Sequence, residues 1–269
     1  MNPLEALADV AVLIASRRPA AQAAGRESEE TLWRYLRALS DFVHVTGQLY
    51  RFEDFFQGTA PTGSPPSTHE GTLAQPAMEL LRKTLDETSG SEQQSVRVLM
   101  TLLDFMASTG QSAEVENFFT HPLEYAPVAI AHFTHREEVE SWLKGVAPPP
   151  SPSRILIGDE DYQLWYMRED HTHGMYRDHA IEPAMEALTA RGIPPETPSF
   201  ATRAAAEEWL KSHPAKPYAL VAIAGEYYFA VHHRRLRRHS LHHVASALTA
   251  WEEHKKVIAL ETSSTGSND

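Results

Sequence analysis

The chain of 269 residues contains no cysteine. This absence excludes disulfide bonds, thiolate zinc sites and a cysteine nucleophile, and it fits a reducing compartment. Long hydrophobic runs are absent too, since no segment approaches the roughly 18 consecutive apolar residues of a membrane helix. The first five residues lack the basic stretch of a secretion signal and include an acid. We therefore expect a cytoplasmic protein without a membrane span.

The usual catalytic and nucleotide-binding motifs are also missing. The sequence has no Gly-x-Ser-x-Gly elbow and neither of the glycine-rich phosphate loops, Gly-x-x-x-x-Gly-Lys and Gly-x-Gly-x-x-Gly. Nothing in the chain indicates a cofactor. These absences make a binding protein the leading interpretation and an enzyme the alternative.

The chain has little positive charge, and its net charge is −12. Residues 1–126 carry −8 and residues 127–212 carry −6, whereas residues 213–269 carry +2. Such an acidic chain is not expected to bind nucleic acid or anionic membranes with its whole surface. An anionic partner would have to meet the C-terminal third of the sequence.

The first part of the chain, residues 1–126, is predicted to be helical. Asn2-Pro3-Leu4-Glu5 combines an Asn cap with Pro at the first helical position and Glu at the third. Apolar residues at helical spacing predict further helices from about residue 28 to 46, over 76–87 and from 91 onwards. Residues 57–75 are rich in Pro, Gly, Ser and Thr and predict a linker.

A motif is repeated within this helical region. The pattern Asp-Phe-x3-Thr-Gly-Gln-x3-(Phe/Val)-Glu-x-Phe-Phe occurs at residues 41–56 and again, without a gap, at 104–119. It predicts a helix, a stop at the glycine, and a short helix whose Phe pair fills a core.

A second repeat follows and defines the fold prediction. Phe-x2-Arg-x3-Glu-x-Trp-Leu-Lys occurs at residues 133–144 and at 200–211, and each copy leads through a Pro-containing loop to a pair of strands. We expect an α+β protein in which two duplicated strand–helix–hairpin units, over residues 127–261, form one mainly antiparallel sheet with helices packed on it. A linking helix over residues 181–191, a final helix over 239–260 and a disordered tail over 262–269 complete the prediction.

At the Thr-Gly-Gln motif, and at the Trp-Leu helix followed by Ile-x-Gly-x-x-Tyr, the chain resembles uncharacterised paralogous proteins common in myxobacteria. The resemblance covers roughly residues 96–168 and 198–234. Small paralogous proteins of this sort are often interpreted as immunity or self-recognition factors encoded beside toxins, and the resemblance implies such a role here. It carries over no catalytic residue.

The segment 232–243 holds four arginines and five histidines and no acid. One interpretation is a contact for a partner, because the arginine fork suits carboxylates and phosphates. The candidate partner-binding residues are Arg234, Arg235, Arg237 and Arg238, with Tyr166 and Tyr227 of the two hairpins. The other interpretation is a frame segment whose arginines pair with acids of the same chain.

Metal binding is a further alternative. The segment 169–179 contains His-x-His with nearby carboxylates, and two more histidines lie four residues apart in the final helix. The candidate ligands are His171, His173, Asp178, His239 and His243. A solvated surface loop explains the first group equally well.

The sequence thus favours a cytoplasmic protein-binding factor, specifically an immunity protein that inhibits a cognate toxin. The alternatives are a metal-dependent hydrolase and a nucleic-acid-binding regulator that uses Arg234 to Arg238. The expected partner is another protein, with nucleic acid disfavoured, no membrane and no cofactor, and the sequence leaves a homodimer open.

Overall fold

The computed structural model describes residues 3–58 and 71–265. It is an α+β protein with an N-terminal helical region, as the sequence predicted. The chain forms two compact units of three segments each. The first comprises Met1–Pro122, Val146–Ser153 and Trp165–Gly174, and the second comprises Leu123–Gly145, Arg154–Leu164 and Met175–Asp269. The predicted division at residue 126 did not anticipate the two later segments of the first unit.

Helices build most of the described part of the first unit: α1 (Pro3–Ala23), α2 (Glu27–Val45), α3 (Leu49–Phe56), α4 (Ala74–Glu87), α5 (Gly90–Ser108) and α6 (Ser112–Thr120). Their apolar faces close one core around Trp33, Tyr35, Phe42, Phe52, Leu99 and Met106. Of the predicted linker, residues 59–70 lie outside the described residues, and α4 already begins at Ala74.

The two Thr-Gly-Gln turns of this unit face each other. Gln48 Nε2 donates to Gln111 Oε1 and Gln111 Nε2 donates to Gln48 Oε1, each over 2.9 Å. Each side-chain amide also donates to the hydroxyl of its own turn, over 2.7 Å to Thr46 and 2.9 Å to Thr109. The contacts are reciprocal, so the two copies of the motif meet through the same residues.

The aromatic residues of the motif pack in the same crossed manner. The ring of Phe42 lies 5.7 Å from that of Phe118, and the ring of Phe105 lies 5.5 Å from that of Phe55. Each helix that precedes a turn therefore packs against the short helix of the other copy. Such inclined ring pairs stabilise a core beyond the area they bury.

No residue with a side chain could replace Gly47 in the first turn. Its φ of 67° ends α2, and a Cβ there would lie 2.8 Å from the Cβ of Ser153. Gly110 ends α5 with a φ of 68°, as the repeat predicts. The carbonyl of Gly47 also accepts from Ser151 N over 3.1 Å, which ties the segment 146–153 to the turn.

Two four-stranded sheets follow. The first has the order β1 (Ala129–Phe133), β2 (Ser153–Ile157), β3 (Glu160–Met167), β4 (Thr172–Arg177), and the second the order β5 (Ser199–Phe200), β6 (Tyr218–Ile223), β7 (Glu226–His233), β8 (Arg238–His243). The helices of this part are α7 (Arg136–Gly145), α8 (Glu182–Thr189), α9 (Arg203–Ser212) and α10 (Val244–Thr265). Single 3-10 turns cover Pro122–Glu124 and Arg234–Leu236.

The two sheets share their local geometry. Phe133 of β1 pairs in parallel with Ile157 of β2, and Phe200 of β5 pairs in parallel with Ile223 of β6. The phenylalanine ring in each case packs on the tryptophan of the following helix, at 5.3 Å in α7 and 5.6 Å in α9. Trp142 and Trp209 therefore occupy like surroundings.

The prediction of one mainly antiparallel sheet was wrong. A fourth strand, β4 or β8, completes each hairpin, so each strand–helix–hairpin unit builds its own sheet of a usual size. The pairing in the second sheet is mixed, because β5 and β6 run parallel and the pairs β6–β7 and β7–β8 run antiparallel. In the first sheet β1 and β2 likewise run parallel.

Both added strands fall where the sequence predicted something else. β4 lies within the segment 169–179 that was interpreted as a surface loop, and β8 takes the place of the first turn of the predicted helix 239–260. The helix α10 begins only at Val244 and continues through residues 262–265 of the predicted tail, whereas residues 266–269 lie outside the described residues.

Different helices pack on the two faces of the second sheet. On one face, α7 packs on Ile155 and Leu164 of the first sheet, and α9 packs on Val221 and Ala230 of the second. The opposite face of the second sheet is covered by α8 and α10. Met185 of α8 and Val244 and Ala247 of α10 pack against Phe229 and Val231. Among the described residues, no helix has the length and apolar character needed to cross a membrane.

The glutamine pair predicts a measurable coupling. We expect Gln48→Ala and Gln111→Ala each to lower the free energy of unfolding by about 1–3 kcal/mol, because each removes the donor to the side-chain oxygen of the other amide in a largely buried place. The double variant should lose less than the sum of the two. Urea unfolding measures all three, with the exposed Gln57→Ala as control, and strict additivity would contradict the interpretation.

Candidate partner-binding surface

The outer face of β3 carries exposed apolar side chains. Trp165 is 37% exposed and Met167 is 49% exposed. The repeat aligns these two residues with Val231 and His233 of β7, which are both buried. Because side chains alternate along a strand, Trp165 and Met167 lie on one face of β3. Val231 and His233 lie on the corresponding face of β7. The face that α8 and α10 cover on β7 is therefore open to solvent on this part of β3.

Gly174 of β4 sets the position of the indole. A Cβ added at Gly174 would lie 2.7 Å from Cζ2 of Trp165, which is closer than such atoms approach. The indole therefore lies directly against the backbone of the neighbouring strand. A large side chain held flat in this way presents its area with little freedom to lose on binding.

The backbone beneath Trp165 and Met167 is fixed by polar contacts. Ser151 Oγ accepts from Tyr166 N over 2.9 Å and donates to Tyr166 O over 3.1 Å. The hydroxyl of Tyr50 donates to the same carbonyl over 3.2 Å and accepts from Arg168 N over 3.3 Å. These contacts hold the end of β3 rigid between the two exposed residues.

The side chain of Arg168 takes part in these supporting contacts. Its guanidinium lies 4.6 Å from the ring centre of Tyr50 and donates to both carboxylate oxygens of Asp54, over 2.8 and 3.0 Å, and to Glu53. A bidentate pair of this kind is among the stronger ion pairs, so the guanidinium is engaged within the chain. The next two residues, Glu169 and Asp170, are exposed, so the rim of the surface is acidic.

Hydrogen bonds from Thr172 stabilise the ionised carboxylate of Asp170. Its carboxylate accepts from the hydroxyl of Thr172 over 2.6 Å and from the backbone N of Thr172 over 3.0 Å. These hydrogen bonds hold the pKa of Asp170 below its usual range. We call Trp165, Met167, Glu169, Asp170 and Gly174 the β3 surface.

The predicted tyrosines and arginines differ in exposure and in the contacts that they make. Tyr166 is half-buried, with its ring 5.5 Å from that of Tyr50 and its hydroxyl 3.1 Å from His171 Nδ1, whereas Tyr227 is 42% exposed at the start of β7. Arg234 donates to Glu124 over 2.9 Å and lies on the ring of Tyr125, and Arg238 pairs with Asp159 at 3.5 Å. Arg235 is half-buried, and Arg237 is exposed with a φ of 52°.

Four of the five histidines of segment 232–243 contact one another or the buried Ser240. His233 Nε2 and His242 Nε2 both lie 2.8 Å from the hydroxyl of the fully buried Ser240, and the rings of His232 and His239 stack at 4.5 Å. Burial lowers the pKa of His233 to about 3 and those of His239 and His242 to about 4. These rings are neutral at pH 7 and add no charge to the arginines.

The candidate metal ligands do not converge. His171 and His173 are exposed, Asp178 accepts from Arg154 Nε over 2.9 Å, and His243 lies 2.7 Å from Ser246 Oγ and 3.3 Å from Glu226. His239 Nε2 accepts from Ala215 N. Across residues 3–58 and 71–265, no three His, Cys, Asp or Glu side chains are grouped so that they could hold a metal ion.

Sequence reasoning missed a cluster of buried carboxylates in the second unit. Asp161 and Glu182 are each 2% exposed, and both oxygens of Asp161 and one of Glu182 make no hydrogen bond. Arg154 lies 3.8 Å from Asp161 but donates to Asp178 instead. Burial is the largest cause that raises the pKa of Asp161, to about 7. The sequence offers one signal of this cluster: in the alignment of the two repeats, the carboxylate of Asp161 stands at the position that Tyr227 takes in the second repeat.

The Asp161 cluster predicts a pH-dependent stability. Its pKa is higher in the folded state than in the unfolded chain, so the folded state loses stability as pH rises through about 7. We expect Asp161→Asn to stabilise the protein by on the order of 3 kcal/mol at pH 8.5 and far less at pH 5. Thermal unfolding at both pH values measures this, with the exposed Asp86→Asn as control; an equal gain at both pH values would contradict it.

The histidine network predicts the opposite slope. In the unfolded chain His233 is protonated near pH 6.5, whereas in the folded state burial lowers its pKa to about 3. The free energy of unfolding therefore falls as pH falls from about 6.5 towards 3. His233→Gln should reduce the slope of unfolding free energy against pH by about 1.4 kcal/mol per pH unit between pH 4.5 and 6. Exposed His135→Gln serves as control, and an unchanged slope in His233→Gln would show that the ring titrates normally.

Comparisons of the chain with protein-family models, with curated proteins and with solved structures found no match. No relative therefore assigns a role to the β3 surface or to the buried polar clusters. Their interpretation rests on the geometry described above.

Proposed function

We propose that this chain is a cytoplasmic protein-binding factor of the immunity type, which inhibits a cognate toxin, and that the β3 surface is its contact site. The observation that carries the proposal is the open face at Trp165 and Met167, whose counterpart on β7 is sealed by α8 and α10. Tryptophan in a rigid, half-exposed setting is the residue type that dominates binding energy in protein interfaces.

Charge indicates the kind of partner. The chain carries −12, and the rim of the β3 surface is acidic, while the adjacent Arg168 is paired with Asp54 and Glu53. A basic protein, such as a nuclease-type toxin, complements this surface. Complementary charge accelerates encounter and makes association sensitive to salt.

We further propose that the two strand–helix–hairpin units descend from one duplicated unit. Their support is the shared parallel register at Phe133 and Phe200 and the shared packing of Trp142 and Trp209. In this proposal the copy that contains β7 has its outer face covered by α8 and α10, and the copy that contains β3 leaves the corresponding face open to a partner.

The other candidate functions have less support. Arg234 and Arg238 are engaged by acids of the same chain, so a nucleic-acid contact would keep only part of the predicted arginine group. The dispersed candidate ligands, of which Asp178 is bound to Arg154, favour no metal-dependent hydrolase. Tyr227 and Arg237 are exposed and stay candidates for a second contact.

The test starts from the partner recovered with the full chain from native cells at low salt and then purified. Trp165→Ser and Met167→Ser should each weaken its binding at least tenfold, which corresponds to about 1.4 kcal/mol or more. Calorimetric titration at 50, 150 and 500 mM salt should show affinity falling with salt.

Two controls make the result specific. Val12→Ser removes an apolar side chain from α1 that is more exposed than either Trp165 or Met167, and it should leave the affinity unchanged. Unchanged circular dichroism and melting temperature must accompany the loss of binding in Trp165→Ser and Met167→Ser. Recovery of no partner, or a partner indifferent to both substitutions, would refute the proposed function.

A further inference from the structure

We infer that the β3 surface binds an amphipathic α-helix of the partner, which packs on β3 as α10 packs on β7 and carries small apolar residues towards the sheet and lysine or arginine on its flank. This inference rests on the proposed function and names the form of the bound segment.

The second sheet supplies the structural precedent. Its β7 aligns with β3, and its outer face at Phe229 and Val231 is closed by Val244 and Ala247 of α10. The inner faces also correspond, since Tyr162 and Leu164 meet α7 where Tyr228 and Ala230 meet α9. A strand would be added at a sheet edge, whereas the open feature here is a sheet face, which proteins cover with helices.

Side-chain size specifies the residues that would face the sheet. The position of Val231 is taken on β3 by the larger Trp165, and the position of His233 by Met167. A helix that approaches as closely as α10 therefore needs alanine or glycine opposite the indole, as α10 has Ala247 opposite its sheet. Methionine is flexible and adapts to whatever apolar residue lies beside it.

Charge specifies the flank of the helix. Glu169 and Asp170 follow Met167 directly and are exposed, so a lysine or arginine beside the apolar stripe would be attracted to them. α10 shows the same device within the chain, because Lys255 donates to Glu186 of α8 over 3.0 Å. The peptide of α10 therefore has the chemistry that the surface should accept.

The experiment uses a fluorescein-labelled peptide with the sequence of residues 244–260, added to the full-length protein. Fluorescence anisotropy should show saturable binding in the micromolar to submillimolar range at 50 mM salt. We expect Trp165→Ser and Gly174→Val to weaken binding at least tenfold, the latter because a side chain at Gly174 displaces the indole. Val12→Ser should have no effect.

Two altered peptides test the two halves of the inference. Replacing Ala247 and Leu248 by Asp should abolish binding, and replacing Lys255 and Lys256 by Glu should weaken it several-fold at 50 mM salt but little at 500 mM. Binding that persists in Trp165→Ser, or in the Asp-substituted peptide, would place the peptide elsewhere and overturn the inference.

The outcome separates this inference from the proposed function. If no peptide binds up to 1 mM while the native partner still depends on Trp165, the helix inference is wrong and the contact surface stands. If the native partner is also indifferent to Trp165, both fail.

Discussion

The buried exchange of hydrogen bonds between Gln48 and Gln111 is the interaction on which the first unit depends. A side-chain amide removed from water must find partners, and here each amide finds the other and its own threonine. The exchange fixes the turn at Gly47, whose carbonyl holds Ser151, and Ser151 in turn holds both backbone groups of Tyr166. The position of Trp165, one residue earlier, follows from this chain of contacts.

The sequence predicted the parts of this arrangement but not their assembly. A helix, a glycine stop and a short aromatic helix follow from local periodicity and turn chemistry in each copy of the motif. That the two copies face each other depends on tertiary packing, which periodicity within one copy does not contain. The match between Gln48 and Gln111 was visible as a repeat, and their direct contact was not.

The two missed strands have a common cause. Thr172–Arg177 and Arg238–His243 are polar and rich in histidine and arginine, so neither shows the apolar alternation that predicts a strand. Each strand contributes only one apolar residue to a core cluster, Met175 of β4 and Leu241 of β8. Asp161 was missed for a related reason, since a carboxylate at a strand start is normally solvated, and only the packing around it shows that it is buried.

The difference between the two outer sheet faces can be argued from single residues. A face closed by its own chain tolerates Val231 and the buried neutral His233, because Val231 is covered by α8 and α10 and His233 is buried beside Ser240 of β8. An open face with Trp165 and Met167 leaves apolar area in water, which costs solubility and contributes nothing to the stability of the isolated chain. Rigid support of such residues by Ser151, Tyr50 and Arg168 lowers the entropy lost on association. That combination is consistent with selection for contact with another molecule, and α10, which solves the same packing problem on β7, shows which kind of element would fit.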